Sequence, residues 1–384
     1  MPLPIPTSPF FWLLLASVVV QLFYAAYFFW PFARRAPEAP AHAPGPDTEP
    51  VSVIVCARNE LLNLRRLLPL LLKQDYPAGF EVILIDDRSE DDTYLYAQQL
   101  AQYYHEKVRL VSVARTPRGF APKKYALTLG VKTARYPRML FTDADCIPVT
   151  NQWLRLMQRG FAQGGGKPTS DLVVGFSAYA EAPGFLNQLI RFETLLTAAQ
   201  YLSFAWRGWP YMGVGRNLGY TRACFTATKG YASHIRQLSG DDDLLVQDAV
   251  RQGLQVAVVA DPAAHTLSEP AATWAVWWHQ KRRHLSAGRA YRLADRLRVG
   301  TFLAANMLFY LAVVVLVFSP NNWIPLAVVC TLRTLFVSAV YARLSRRLQQ
   351  SVIVGLLPVL DLAYFVQYLA LGISLFLNRT LRWK

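Results

Sequence analysis

Two aspartates one residue apart, Asp143 and Asp145, close the apolar run in "LFTDADCIP" (residues 140–148). If a strand delivers them to its carboxyl end with Ala144 turned away, both carboxylates point at one spot. Hard oxygen ligands gathered there suit a divalent cation, Mg2+ or Mn2+, which can bridge diphosphate oxygens and stabilise a leaving group. Further along, "SGDDDLLVQDAVRQG" (239–253) sets Asp241, Asp242 and Asp243 at the start of a helical pattern that Gly253 stops. Such acids are well placed to cap a helix and meet its macrodipole. Adjacent carboxylates also repel, so at least one should hold its proton more tightly than usual unless a cation lies near, which suits a general base. Asp86 and Asp87 close another apolar run, and their carboxylates can accept hydrogen bonds from a base imino group or from ribose hydroxyls.

The elements that must position these residues follow from the hydrophobic periodicity. An apolar strand over Val51–Ala57 is followed by a helical period (Asn59–Gln74), a strand (Phe80–Asp87), a helix (Asp92–Tyr104) and a strand (Val108–Val113). A helix over Lys123–Ala134 and a strand over Arg138–Asp143 complete the alternation. Strand and helix repeated in this way predict an α/β, doubly wound, mainly parallel sheet with helices on both faces. Ligands of such sheets collect at the carboxyl ends of strands. Three of these ends are polar: "ARNE" (57–60, with Arg58 and Glu60), "DDRSEDD" (86–92) and "DADC" (143–146).

The 384 residues are 53% apolar and only 17% charged, and the apolar excess sits at the two ends. Phe10 to Phe32, Thr301–Phe318, Trp323–Tyr341 and Val352–Leu377 each approach the length of a membrane-spanning helix. Pro358 and Asp361 leave the last stretch open between a kinked span and a re-entrant segment. A cleaved signal peptide is disfavoured, because no basic residue precedes the first run and Arg34-Arg35 follow it at once. Those arginines, the basic stretch 342–350 and the tail Arg379–Lys384 mark the cytoplasmic side, so an integral, multi-pass protein with a cytoplasmic central part is expected. The net charge of +15 points to anionic membrane lipids or a phosphorylated substrate, with no nucleic acid partner expected. Four scattered cysteines show neither metal-ligand spacing nor a disulfide framework.

The expected organisation is an N-terminal transmembrane helix (1–35), a Pro/Ala-rich linker (36–50), a catalytic-type α/β domain (51–268), an interfacial amphipathic helix (269–300) and C-terminal transmembrane helices (301–384). In the interfacial segment Trp274, Trp277 and Trp278 recur at helical spacing beside Lys281-Arg282-Arg283-His284, so tryptophans at headgroup depth and a polar face presenting Gln280, Arg283 and His284 are both expected. The apolar, aromatic stretch 185–210 reads as core or as membrane surface, the latter favoured. His265 is open between a further metal ligand and a packed side chain.

Taken in order, "VSVIVCARNE", "VILIDDRSEDDT", "KKYALTLG", "FTDADC", "GRNLGYTRACF", "DDDLLVQDAVRQG" and "QKRRH" make residues 51–291 resemble the membrane-bound family 2 glycosyltransferases, a group that includes cellulose and hyaluronan synthase-like and ceramide glucosyltransferase-like enzymes. The resemblance implies a GT-A fold and transfer of a sugar from a nucleotide-diphosphate sugar to a lipid, lipid-linked or polysaccharide acceptor, with inversion. It implies Asp86 and Asp87 at the nucleoside, Lys123 or Lys124 with Arg58 and Glu60 on the donor side, and Asp143 and Asp145 at the metal and diphosphate. The acidic pair falls on Asp241-Asp242, with Asp242 as base and Asp243 beside it. "NLGYTR" (217–222) is implied near the donor or acceptor sugar. The family's Gln-x-x-Arg-Trp signature falls on Gln280, Arg283 and His284, so histidine replaces the tryptophan associated with stacking on an acceptor sugar. That departure favours single transfer over the alternative, a processive polysaccharide synthase. Two other classes stay open: a non-catalytic membrane scaffold, and a nucleotidyl- or phosphoryl-transferase built on the same metal pair.

Overall fold

The structure, a computed structural model, describes residues 8–35, 49–161 and 169–377. Most of the expected linker and the basic tail lie outside the described residues. The chain divides into two compact units: Ala36–Ala182 with Phe204–Tyr291, and the N-terminal helix with Pro183–Ser203 and the chain from Arg292 onward.

The first unit is built on a seven-stranded sheet in the order β3-β2-β1-β4-β8-β6-β9. Its strands are β1 (Val51–Ala57), β2 (Phe80–Asp86), β3 (Val108–Ser112), β4 (Arg138–Asp143), β6 (Leu172–Val174), β8 (Leu218–Thr221) and β9 (Val256–Val258). Three short strands, β5 (Cys146–Pro148), β7 (Ser177–Tyr179) and β10 (Thr266–Ser268), form a second sheet in the order β5-β10-β7. In the large sheet only β8 runs against its neighbours, β4 and β6, so the sheet is mainly parallel as expected. β1 and β2 are near-continuous runs of Val, Ile and Leu because helices cover both of their faces.

Register aligns the strand ends. Ala57 pairs with Asp86 and Cys56 pairs with Asp143, so β1, β2 and β4 finish in one row and present their polar residues along one edge. The Leu61–Leu72 helix buries Leu64, Leu67, Leu68 and Leu71, one apolar stripe of an amphipathic helix. Full burial of each leucine is worth about 1.5–3 kcal/mol. The Pro122–Thr133 helix lies close enough to the sheet that a Cβ on Gly130 would come within 2.5 Å of Ile85 and 3.0 Å of Ile54. Close packing there fixes the height of Lys123 and Lys124 above the strand ends.

The second unit, described by itself, contains four helices long and apolar enough to cross a membrane among the described residues: Pro9–Arg34, Leu293–Val317, Pro320–Arg347 and Val354–Leu377. The first contains a π-helical turn, Tyr24–Phe29, that ends two residues before Pro31, where the proline has no N–H to continue the ladder. Pro358 falls in the first turn of the Leu357–Leu377 helix, where a missing N–H has no partner to lose, so that helix is unbroken rather than kinked. Arg333, 3% exposed, donates to Gln21 (2.7 Å), Asn306 (2.9 Å) and Asp361, and Tyr310 also donates to Asp361 (2.7 Å). Residues 185–206 form one helix whose Phe192, Leu195, Leu196, Tyr201 and Leu202 are at most 2% exposed, so core describes this stretch better than the membrane surface favoured from sequence.

Candidate functional site

β4 ends at Asp143, Ala144 turns inward at 3% exposure, and β5 begins at Cys146. This tight turn brings one ligand atom each from Asp143, Asp145 and Cys146 within 4.8 Å of one another, the group among the described residues that can hold a metal ion. Two hard carboxylates fit a divalent cation such as Mg2+ or Mn2+. Cys146 was not singled out from sequence, although it belongs to "DADC"; its thiol lies 2.8 Å from the Ser268 hydroxyl and 3.3 Å from Asp145 Oδ1.

Lys123 joins the two acidic motifs. Its Nζ lies 2.9 Å from Asp143 Oδ1 and 3.0 Å from Asp241 Oδ2. Burial alone would lower this ammonium, but Asp143, Asp241 and Asp242 outweigh it and hold the group well above the ordinary lysine value. Asp242 caps the Asp243–Arg251 helix: Oδ1 accepts from the Asp243 N–H and Oδ2 from the Gly215 N–H, each at 2.8 Å. Asp243 accepts a hydrogen bond from the Tyr291 hydroxyl. Burial pushes all three carboxyls up. For Asp241 the Lys123 ammonium reverses the sign and the carboxyl ends below its usual value. For Asp242 burial and the Asp241 charge keep it raised, and for Asp243 burial and the Asp242 charge raise it well above the usual range. Asp143, Asp241, Asp242, Lys123, Gly215 and Tyr231 line one cleft.

Arg216 enters this site unannounced by the sequence reading. Its guanidinium stacks 4.4 Å from the ring centre of Tyr179. Burial works against its charge, but Tyr179, Cys146, Asp145 and Asp143 more than offset that and raise it further. Its place in "GRNLGY" was the available signal.

At the end of β2, Asp86 is 5% exposed and its Oδ1 has no hydrogen-bond partner among the described residues, an acceptor suited to a ligand donor. Asp87, also buried, accepts from Arg88 Nε at 2.8 Å. The loops after β1 and β2 brace each other: Asn59 N–H donates to Ser89 Oγ (3.0 Å) and Glu90 N–H to Asn59 Oδ1 (2.7 Å). Arg58 and Glu60 engage the same region, Arg58 at 3.8 Å from Glu90, and Glu60 through its N–H to Thr93 Oγ1 (2.9 Å) and its carboxylate to Asn63 (2.6 Å).

The two adjacent lysines part company. Lys124 is 1% exposed and donates to His234 Nδ1 (2.7 Å), the His234 carbonyl (2.8 Å) and the Ser239 carbonyl (2.9 Å). Of the two lysines offered for the donor side, Lys123 faces the acidic motifs and Lys124 faces the backbone of this segment. His284 is exposed on the Trp274–Ala287 helix. Gln280 and Arg283 are half-buried on the same helix. Trp277, 1% exposed, belongs to the protein interior, which corrects the membrane reading for that residue, whereas Trp274 is 51% exposed. His265 is buried edge-on to Phe176 at 4.9 Å, as a packed side chain.

Residues 52–207 match the family Glycosyl transferase family 2. The chain is 25% identical over 238 residues to a probable glycosyltransferase, YdaM, of Bacillus subtilis, covering 61% of this chain and 54% of that protein. It is 35% identical over 106 residues to the dolichyl-phosphate beta-glucosyltransferase of Mus musculus, covering 26% of this chain and 32% of that protein. The matched stretches thus span about half and about a third of these relatives' lengths. Among solved structures, the mannosyltransferase PcManGT from Pyrobaculum calidifontis, in complex with GDP-Man and Mn2+, aligns with a TM-score of 0.58 at 16% identity, covering 88% of this chain and 99% of that one. The fold is therefore GT-A, as the motif order implied.

Proposed function

We propose, from the family 2 match of residues 52–207 and the joined acidic motifs, that this protein is an inverting glycosyltransferase. It moves a sugar from a nucleotide-diphosphate sugar to a lipid, lipid-linked or glycan acceptor at the cytoplasmic face of the membrane in which its apolar helices anchor it. The observation that carries this reading is Lys123, which spans Asp143 and Asp241 and so holds the metal-type pair and the base-type pair in one cleft.

Asp86 accepts hydrogen bonds from the nucleoside, and Asp143 and Asp145 face the diphosphate with Lys123 beside them. Asp143 and Asp145 would hold a divalent cation, which when bound would supply positive charge for the departing diphosphate. Asp242, raised by burial and the Asp241 charge, takes the proton of the attacking acceptor hydroxyl; its two backbone hydrogen bonds fix its direction. A single displacement through an oxocarbenium-like state inverts the anomeric centre, with no second carboxylate assigned as nucleophile. His284 offers the acceptor a hydrogen bond in place of a stacking face.

The test uses the full chain purified in detergent with Mg2+ or Mn2+, lipid acceptors and a panel of nucleotide sugars. Metal-dependent release of nucleoside diphosphate is expected, and Asp242→Asn should lower kcat by about 10²–10⁴ while nucleoside diphosphate still binds. Release of pyrophosphate would transfer the site to nucleotidyl chemistry. A folded protein that neither binds nor turns over any donor would sink the reading in favour of a scaffold.

A further inference from the structure

We propose that Lys124 is a positioning residue: it clamps the segment that carries Asp241–Asp243 and so sets those carboxylates against Lys123. Only the kinetic arm of its test rests on the glycosyl-transfer reading.

A buried ammonium has three N–H donors, and one left unpaired is expensive. Lys124 spends all three on a single segment: His234 Nδ1, the His234 carbonyl and the Ser239 carbonyl, at 2.7, 2.8 and 2.9 Å. No N–H is left for a donor phosphate. Ser239 lies two residues before Asp241, and Gly240, at φ +81°, makes the turn between them. A Cβ on Gly240 would also come within 2.7 Å of Leu244. The same helix start grips the segment again, because the Ala121 N–H belongs to its N-terminus and donates to the Ile235 carbonyl at 2.8 Å. Adjacent residues of one helix therefore divide the work, Lys123 holding the carboxylates and Lys124 the backbone that leads to them.

The segment's far end is tied as well. His234 can accept from Lys124 only with its proton on Nε2, and Nε2 lies 3.6 Å from Asp248 Oδ2. Asp248 also pairs with Arg251 at 2.7 Å and accepts from Ser233. Burial and the Lys124 charge lower His234 to about 4, so it stays a neutral acceptor near pH 7. Burial likewise lowers Lys124 to about 8, against the carboxylates Asp241, Asp242, Asp243 and Asp248 that face it. A neutral amine has two N–H groups for three acceptors, so the clamp loosens as pH rises through that value.

The test compares wild type with Lys124→Met. At pH 7 the variant should keep its donor KM within about two-fold and lose kcat by about 10²-fold, as expected when a catalytic group is displaced. The alkaline fall in wild-type kcat near pH 8 should vanish from its profile. Backbone amides over residues 235–242 should exchange faster in the variant while β1 and β2 keep their protection. A raised KM with unchanged kcat would mean that Lys124 touches the donor, and unaltered kcat with unaltered exchange would mean that it positions nothing; either overturns the proposal. If wild type turns over no nucleotide sugar, the functional reading fails and the exchange comparison alone decides the clamp. If the variant also loses protection in β1 and β2, the decision passes to wild type: protection over 235–242 must drop between pH 7 and pH 9.5 beyond the intrinsic change in rate, and constancy overturns the proposal.

Discussion

Asp241, Asp242 and Asp243 are identical in sequence terms and different in place. Asp241 has an ammonium partner, Asp242 has two backbone donors and Asp243 has a phenol. Their repulsion was legible from three consecutive letters; which one keeps its proton was not, since that depends on Lys123 and Tyr291, each more than forty positions away. Folding raises the Asp243 carboxyl, chiefly by burial and then by the Asp242 charge. Its stabilising contribution is then complete below the unfolded value of about 4 and is lost as pH rises through the folded value. Asp243→Asn keeps an oxygen for Tyr291 without the charge. The variant should therefore melt above wild type at pH 7–8, with the gap growing as pH rises and closing below about pH 4, in thermal unfolding followed by circular dichroism.

At the scale of elements, β1 and β4 begin and end where the periodicity places them, and the helices between fall within two residues of expectation at nearly every end. Alternation is a local property, so it survives in the sequence. The reversed strand β8 and the small β5-β10-β7 sheet left no comparable trace, because their strands are three or four residues long and pair with distant segments. Yet these short pieces aim the site. Asn217, immediately before β8, accepts from Trp153 Nε1 (3.0 Å) and donates to the carbonyls of Phe176 (2.7 Å) and Ala264 (2.8 Å), which fixes Gly215 and its N–H to Asp242. Gly175 approaches this amide so closely that a Cβ would lie 2.6 Å from Asn217 Cγ. Gly175→Ala should cost about 1–3 kcal/mol in denaturant unfolding, and it should lower turnover more than donor binding because Asp242 loses its alignment.

At the scale of the whole molecule, the apolar ends and the α/β centre were plain from composition, while the charge buried among the apolar helices was half visible. Asp361 stood out in an apolar stretch; Arg333 was not singled out, and Gln21, Asn306 and Tyr310 gave no sign that they would meet it. Removing one ion of a buried pair strands the other, so Arg333→Met should destabilise the protein by about 3–5 kcal/mol in detergent, and Arg333→Met with Asp361→Leu by clearly less. By itself the sequence determined the strand and helix order, the acidic motifs at strand ends and the membrane-length helices, because each is written in neighbouring residues. Only the tertiary structure decided that Lys123 bridges the two motifs while Lys124 is enclosed, that Cys146 and Arg216 join the metal-type pair, and which aspartate is raised. Those outcomes depend on distances between remote segments and on desolvation, and neither exists until the chain has folded.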